Sequence, residues 1–176
     1  MVSVVNRRPG LDYVGVCVVF ICHDGRGSFV MARRGAAARD ERGRWDIGGG
    51  AVELGQTVEA ALDAEVRQEY GASCAEKRFL SFRDVIRPGE DGSTHWLALD
   101  FAVLVDRAQV RNNEPHKLDE VGWFTLSRLP APLHSALPAF LARYREPLAG
   151  VGIVQASEPA TTSAAGTGPR TPETAG

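Results

Sequence analysis

The sequence predicts an α+β fold, and three observations carry that prediction. Short apolar or alternating runs of the strand type outnumber helical ones. A single longer segment between them has helical periodicity with recognisable start and stop signals. The strand-like runs follow one another without a regular β-α-β alternation. With 176 residues, 44% of them hydrophobic, the chain can bury a core of ordinary domain size.

The first element is the run Val14 to Cys22. Arg7 and Arg8 precede it, which imitates a secretory leader. Yet Asp12 interrupts the approach, and His23-Asp24-Gly25 closes the run without a small-x-small cleavage site. It is also too short for a bilayer, which takes roughly 20 apolar residues. A buried strand is expected. His23 to Gly27 reads as a turn, and Ser28 to Arg33 as the returning strand. Gly35 to Arg44 is polar and flexible in character, and Trp45-Asp46-Ile47 then leads into a loop of three glycines, Gly48 to Gly50.

Thr57 is a good N-cap for a helix over Val58 to Tyr70, which contains neither Gly nor Pro. Ala61, Leu62, Val66 and Tyr70 share one face, and Gly71 supplies the usual stop. Strands are expected at Phe79 to Ile86 and Trp96 to Val105, joined by the turn Pro88 to Gly92. Val121 to Phe124 reads as a further short strand. Leu133 to Tyr144 reads as a terminal helix with Pro138 near its first turn. One domain over 10–148 is expected. From Gln155 onward alanine is the only hydrophobic residue, and such a segment cannot offset its ordering entropy, so 155–176 is expected to be a disordered tail.

Composition removes several function classes. Twenty basic against 22 acidic residues leave a formal charge of −2, which argues against a polycationic nucleic-acid binder. No membrane segment is visible. Cys17, Cys22 and Cys74 are odd in number, form no Cys-x-x-Cys and have no histidine at zinc spacing, which disfavours a zinc or redox protein and points to a reducing, cytoplasmic setting.

The chemistry is concentrated between Gly50 and Ala72. Successive helix residues are about 100° apart, so Glu65 and Glu69 share a stripe with Gln68. Clustered like charges destabilise a helix unless compensated, and a divalent cation held on hard oxygen ligands would compensate them. The preceding glycines let backbone approach a ligand without Cβ interference.

This segment resembles the signature of the Nudix hydrolase family: Gly, five residues, Glu, seven residues, Arg-Glu-apolar-x-Glu-Glu-x-Gly-apolar. Gly50, Glu65, Val66, Glu69, Gly71 and, more loosely, Ala72 match it without gaps. Gln56 stands for the first signature Glu, Ala64 for the Arg, and Gln68 for the first member of the Glu pair. The resemblance implies an α/β/α sandwich around a mixed sheet. It also implies Mg²⁺- or Mn²⁺-dependent hydrolysis of a nucleoside diphosphate linked to another group. Carried over by position, Glu65 and Glu69 are expected metal ligands and catalytic groups. The Gly50 carbonyl and the Gln68 amide oxygen are expected as further ligands. Arg67, one turn from Ala64, is a candidate stand-in for the signature arginine, against the plainer reading of an exposed helix arginine.

Through Arg44 the chain carries eight arginines against four acids. Arginine forks suit phosphate, and Arg33 and Arg44 are the expected substrate contacts. Asn112-Asn113-Glu114-Pro115-His116-Lys117 resembles the Asn-x-Glu-Pro-x-Lys segment of triphosphate-hydrolysing members. It makes Glu114 a candidate catalytic carboxylate, with Asp119 and Glu120 nearby, and gives a lean towards nucleoside triphosphates. Tyr13, Phe82, Trp96, Trp123 and Phe124 are aromatic candidates for base stacking or for the core. The four histidines receive no role. The expected partner is a small nucleotide, without nucleic acid or membrane, and the resemblance leaves a homodimer open. The alternative function is a degenerate domain of the same family that binds a nucleotide without hydrolysing it.

Overall fold

The computed structural model describes residues 7–89 and 92–153; the expected tail at 155–176 lies outside them. Its elements run β1 (Gly15–His23), β2 (Phe29–Arg34), β3 (Trp45–Asp46), β4 (Gly48–Ala51), α1 (Val58–Tyr70), β5 (Cys74–Arg87), β6 (Thr94–Val105), β7 (Leu118–Phe124), α2 (Leu137–Arg143) and α3 (Arg145–Ala149). The seven strands make one mixed sheet in the order β3-β2-β1-β6-β5, with β4 on β1 and β7 on β2.

β1 pairs parallel with β6 along its whole length, from Gly15↔Trp96 to His23↔Leu104. It lies inside the sheet with a hydrophobic layer on each face, which is why its sequence is a nearly continuous apolar run. Val18, Phe20 and Cys22 join Leu62, Val66 and Tyr70 of α1 in one layer. Ile21, with Phe29 and Met31 of β2, faces Leu137, Phe140, Tyr144 and Leu148 of the C-terminal helices in the other. The result is the expected α/β/α sandwich.

α1 begins and ends where its signals stand. Thr57 Oγ1 accepts the Ala60 N–H at 3.2 Å, and Gly71 adopts φ 66° while its N–H bonds the Arg67 carbonyl. Tyr70 meets Phe20 edge to face at 6.0 Å. Each of these buried side chains contributes about 1.5–3 kcal/mol of transfer free energy.

The structure corrects four expectations. The glycine loop is strand β4, in register from Ala51↔Cys17 to Gly48↔Phe20. β5 starts at Cys74 rather than Phe79. The terminal helix starts at Leu137 rather than Leu133, because Leu133 bridges to Trp45 and the His134 N–H bonds the Trp45 carbonyl. Pro138 then sits in the first turn, and a second short helix, α3, follows. The stretch 35–44 is anchored to its neighbours: Gly35 N–H donates to the Lys117 carbonyl and Gly43 N–H to that of Arg34.

A split in the sheet positions the candidate site. β1 and β2 meet in register at His23↔Phe29, and then β1 takes β4 as neighbour while β2 takes β3 and β7. The sheet splits, with the glycine strand on one lip and α1 packed beside it.

Candidate active site

The lip is built for close approach. A Cβ on Gly48 would lie 2.2 Å from the Phe20 ring and 2.6 Å from Glu69 Oε2, and one on Gly50 would lie 1.9 Å from the Glu65 carboxyl carbon. The absent side chains are what let both α1 carboxylates lie against the backbone of β4, where the Gly49 N–H points at Glu69 Oε1 at 3.4 Å. Burial, with the Glu65 charge beside it, pushes the Glu69 carboxyl up to about 8. Burial also raises Glu65, helped by Glu114 and Glu53 and opposed by Lys117.

Glu114 arrives from the far end of α1. Asn113 Nδ2 donates to the Arg67 and Gln68 carbonyls at 3.0 and 3.2 Å, and its N–H bonds the Glu69 carbonyl. These bonds satisfy carbonyls that a helix end leaves open. They also bring the next residue, Glu114, into the field of Glu65 and Glu69. Lys117 Nζ donates to Glu114 Oε1 at 2.7 Å, and its charge is felt by both α1 carboxylates.

A cavity of about 400 Å³ opens beside Glu69 and extends along the α2 face of the sheet, a volume suited to a small ligand. Its arginines are Arg34, Arg39, Arg83 and Arg87. Asp40 answers three of them. It bonds Arg34, accepts from Arg87 Nη1 at 2.6 Å and lies 3.8 Å from Arg39. Asp46 also lines it, its carboxyl raised by burial against the pull of His134 and Arg34. His134 is buried: Nδ1 accepts the Ala136 N–H at 3.1 Å and Nε2 stands 3.3 Å from Glu41 Oε1.

The expected substrate arginines lie elsewhere. Arg33 faces Glu120 at 3.7 Å, and Arg44 donates to the Leu133 carbonyl at 2.9 Å beside Glu41; neither lines the cavity. Of the aromatic candidates Trp96 does. Trp123 packs under Arg107 and Phe124 against Trp45, while Tyr13 and Phe82 are exposed. Arg34 and Arg39 belong to the arginine-rich stretch through Arg44 that the sequence singles out for phosphate, and the cavity residues missed there are Asp40, Asp46, Arg83, Arg87 and His134. For Arg83, Val85 and Arg87 an alternation within a strand was available as a signal.

The NUDIX domain model matches residues 13–144. The chain belongs to the Nudix family. Among curated relatives, the NAD-capped RNA hydrolase NudC of Mycobacterium tuberculosis is 29% identical over 130 residues, covering 71% of this chain and 36% of its own. The human 8-oxo-dGDP phosphatase NUDT18 is 26% identical over 148 residues, covering 81% of this chain and 42% of its own. The chain therefore spans less than half the length of either relative. Among solved structures, a MutT NUDIX hydrolase from Burkholderia pseudomallei aligns with TM-score 0.64 and 27% identity, covering 73% of this chain and 96% of that one.

Nudix enzymes generally use divalent cations, and the side chains can be tested against that requirement. The two α1 carboxylates converge on a cradle that a Cβ would fill, and burial destabilises both anions, so a cation fits there. Among the described residues no three His, Cys, Asp or Glu side chains form a ready cage. Backbone oxygen, water and substrate phosphate would complete the set, the usual manner of holding magnesium. One departure from the signature has a local role. Gln56 Oε1 accepts the Glu53 N–H at 3.2 Å and closes the turn before α1, a bond a carboxylate would also make. Gln68 and Arg67 are exposed on α1, and Arg67 acts on Asp63 and Cys74.

Proposed function

We propose that this Nudix protein hydrolyses a phosphoanhydride bond in a nucleoside-diphosphate-linked compound with Mg²⁺ or Mn²⁺. The supporting observation is the meeting of Glu65 and Glu69 against the glycine strand, with Glu69 on the wall of an arginine-lined cavity. When bound, the cation would neutralise phosphate charge and lower the pKa of an attacking water. Glu65 and Glu69 would hold it, with the Gly50 carbonyl as a further ligand and Gln68 offering a neutral amide oxygen. Glu114 is the additional carboxylate, oriented by Lys117. Arg34, at the end of β2 on the cavity wall, takes the phosphate-binding role expected of its neighbour Arg33. The three unpaired cysteines support a cytoplasmic location.

A second reading, binding without turnover, is favoured by Gln56 and Gln68, which remove two negative charges, and by the Lys117 ammonium among the remaining ones. A turnover screen separates the two. Purified protein is incubated with Mg²⁺ or Mn²⁺ and nucleoside triphosphates, ADP-ribose or sugar nucleotides, with Glu69→Gln as control. Metal-dependent product that disappears in the variant establishes the hydrolase. Nucleotide binding without product across the panel establishes the second reading.

A further inference from the structure

The cavity extends well past the carboxylates of α1, and its far wall is cationic. Arg83 of β5 pairs with Ala98 of β6, Ala98 with Cys17 of β1, and Cys17 with Ala51 of β4. That row spans three interstrand spacings, so the backbone of Arg83 stands roughly 14 Å from the strand that cradles Glu65 and Glu69.

Arg83 is held in an unusual way. Its Nε donates to Asp100 Oδ2 at 2.8 Å, and the same oxygen accepts the Tyr144 hydroxyl at 2.6 Å. Asp100 is fully buried and its Oδ1 has no partner. The carboxylate therefore grips the guanidinium at Nε alone, and among the described residues neither terminal nitrogen of Arg83 has a hydrogen-bond partner. The Phe140 ring, 5.9 Å from Arg83 Cζ, flanks it. Arg87, four residues further along the strand and on the same face, shares Asp40 with Arg34 and Arg39. With Asp46 also beside Arg34, two carboxylates stand among these three guanidiniums, which leaves that wall one positive charge in excess.

A fixed fork with free terminal N–H groups, facing a cavity, matches an anionic oxygen pair. We propose that Arg83, positioned by Asp100 and Tyr144, binds a second anionic group of the substrate, remote from the bond that is cleaved. The substrate class is then a nucleotide whose group beyond the diphosphate carries its own phosphate or carboxylate. This rests on the proposed site at α1. It moves the preference away from simple triphosphates, which carry no such further group.

The test uses binding, so that nothing depends on turnover. Isothermal titration in EDTA compares UDP-glucuronate with UDP-glucose, which differ by a terminal carboxylate, and NADPH with NADH, which differ by a phosphate. The charged member of at least one pair is expected to bind about tenfold tighter, the worth of a charge-assisted hydrogen bond, and the responding pair identifies the anion. Arg83→Gln brings that ratio to near one. Arg83→Lys, which keeps the charge without the fork, recovers part of it, and Asp100→Asn lowers it while Arg83 is intact. Melting curves confirm that the variants fold. Ratios near one in both pairs for the unaltered protein, no binding of any of the four, or an equal effect of Arg83→Gln on both members overturns the proposal. Failed hydrolysis with these ratios intact counts against the enzyme reading alone.

Discussion

The Glu65 carboxyl group occupies the space that a side chain on Gly50 would need, its carbon 1.9 Å from where that Cβ would stand. The glycine thus has a positional meaning beyond backbone freedom: it sets how closely the helix carboxylate approaches the strand. Gly50→Ala should displace Glu65 by about 1 Å or more. A shift of that size in a reacting group costs roughly a hundredfold in rate. We expect kcat to fall by that order, while the variant, altered at the lip of the sheet, keeps a cooperative melt. Wild-type kcat in Gly50→Ala would mean that Glu65 is not where the chemistry occurs.

Gln68 lies one turn from Glu65 on α1 and is exposed, so a carboxylate can be placed there without burying a new charge. Gln68→Glu should tighten Mg²⁺ binding severalfold by adding an anion to the Glu65–Glu69 stripe. Titration calorimetry with the metal alone checks this. Unchanged affinity would show that the α1 stripe does not extend to position 68.

How much of this was legible in the sequence differs between fold and site. α1 could be read to the residue because Thr57, the apolar face and Gly71 are all local signals. β4 could not, since three glycines carry no side-chain alternation; only the register with β1 makes them a strand. The start of β5 was hidden for a related reason, as Cys74 to Arg78 is largely polar along the edge of the sheet. In the site, the motif carboxylates were visible by spacing. Their electrostatic neighbour Lys117 was visible only as part of a resemblance. Arg34 rather than Arg33 lines the cavity because successive residues of a strand point to opposite faces, Ala32 and Arg34 towards the cavity and Arg33 towards Glu120, and the sequence alone does not say which face of β2 the cavity takes. Asp40, Asp46 and His134 come together through loop packing, for which the sequence has no local pattern.

The buried state of Glu69 makes a statement about pH. Unfolded, its carboxyl ionises near 4.5; folded and without metal, near 8. Between those values the native state holds a proton that the unfolded state has released, so rising pH favours unfolding. The melting temperature of metal-free protein should therefore carry a downward contribution from pH 5 to 8, and Glu69→Gln should remove it. A cation held by the ionised carboxylate reverses the trend, so stabilisation by Mg²⁺ should grow with pH over the same interval. Stabilisation that is independent of pH would place the metal elsewhere.

The two neighbouring arginines of β2 give the sharpest comparison. Arg33 meets Glu120 at 3.7 Å, with both side chains 41% and 57% exposed, and such a pair contributes little. Arg34 is 23% exposed, bonds the Asp40 side chain and backbone, and lies 3.6 Å from Asp46. Removing its charge leaves two carboxylates at the cavity without their shared partner, so Arg34→Gln should lower the melting temperature. It should also raise KM for the substrate found in the screen about tenfold, the worth of a charge-assisted contact to phosphate. Arg33→Gln should leave KM within about twofold and the melting temperature nearly unchanged. Because the two residues are adjacent in sequence and carry the same charge, long-range electrostatics affects both variants alike, and only a contact inside the cavity distinguishes them. A KM that rises in Arg33→Gln and not in Arg34→Gln would put the substrate on the opposite face of β2, against Glu120 rather than Asp46.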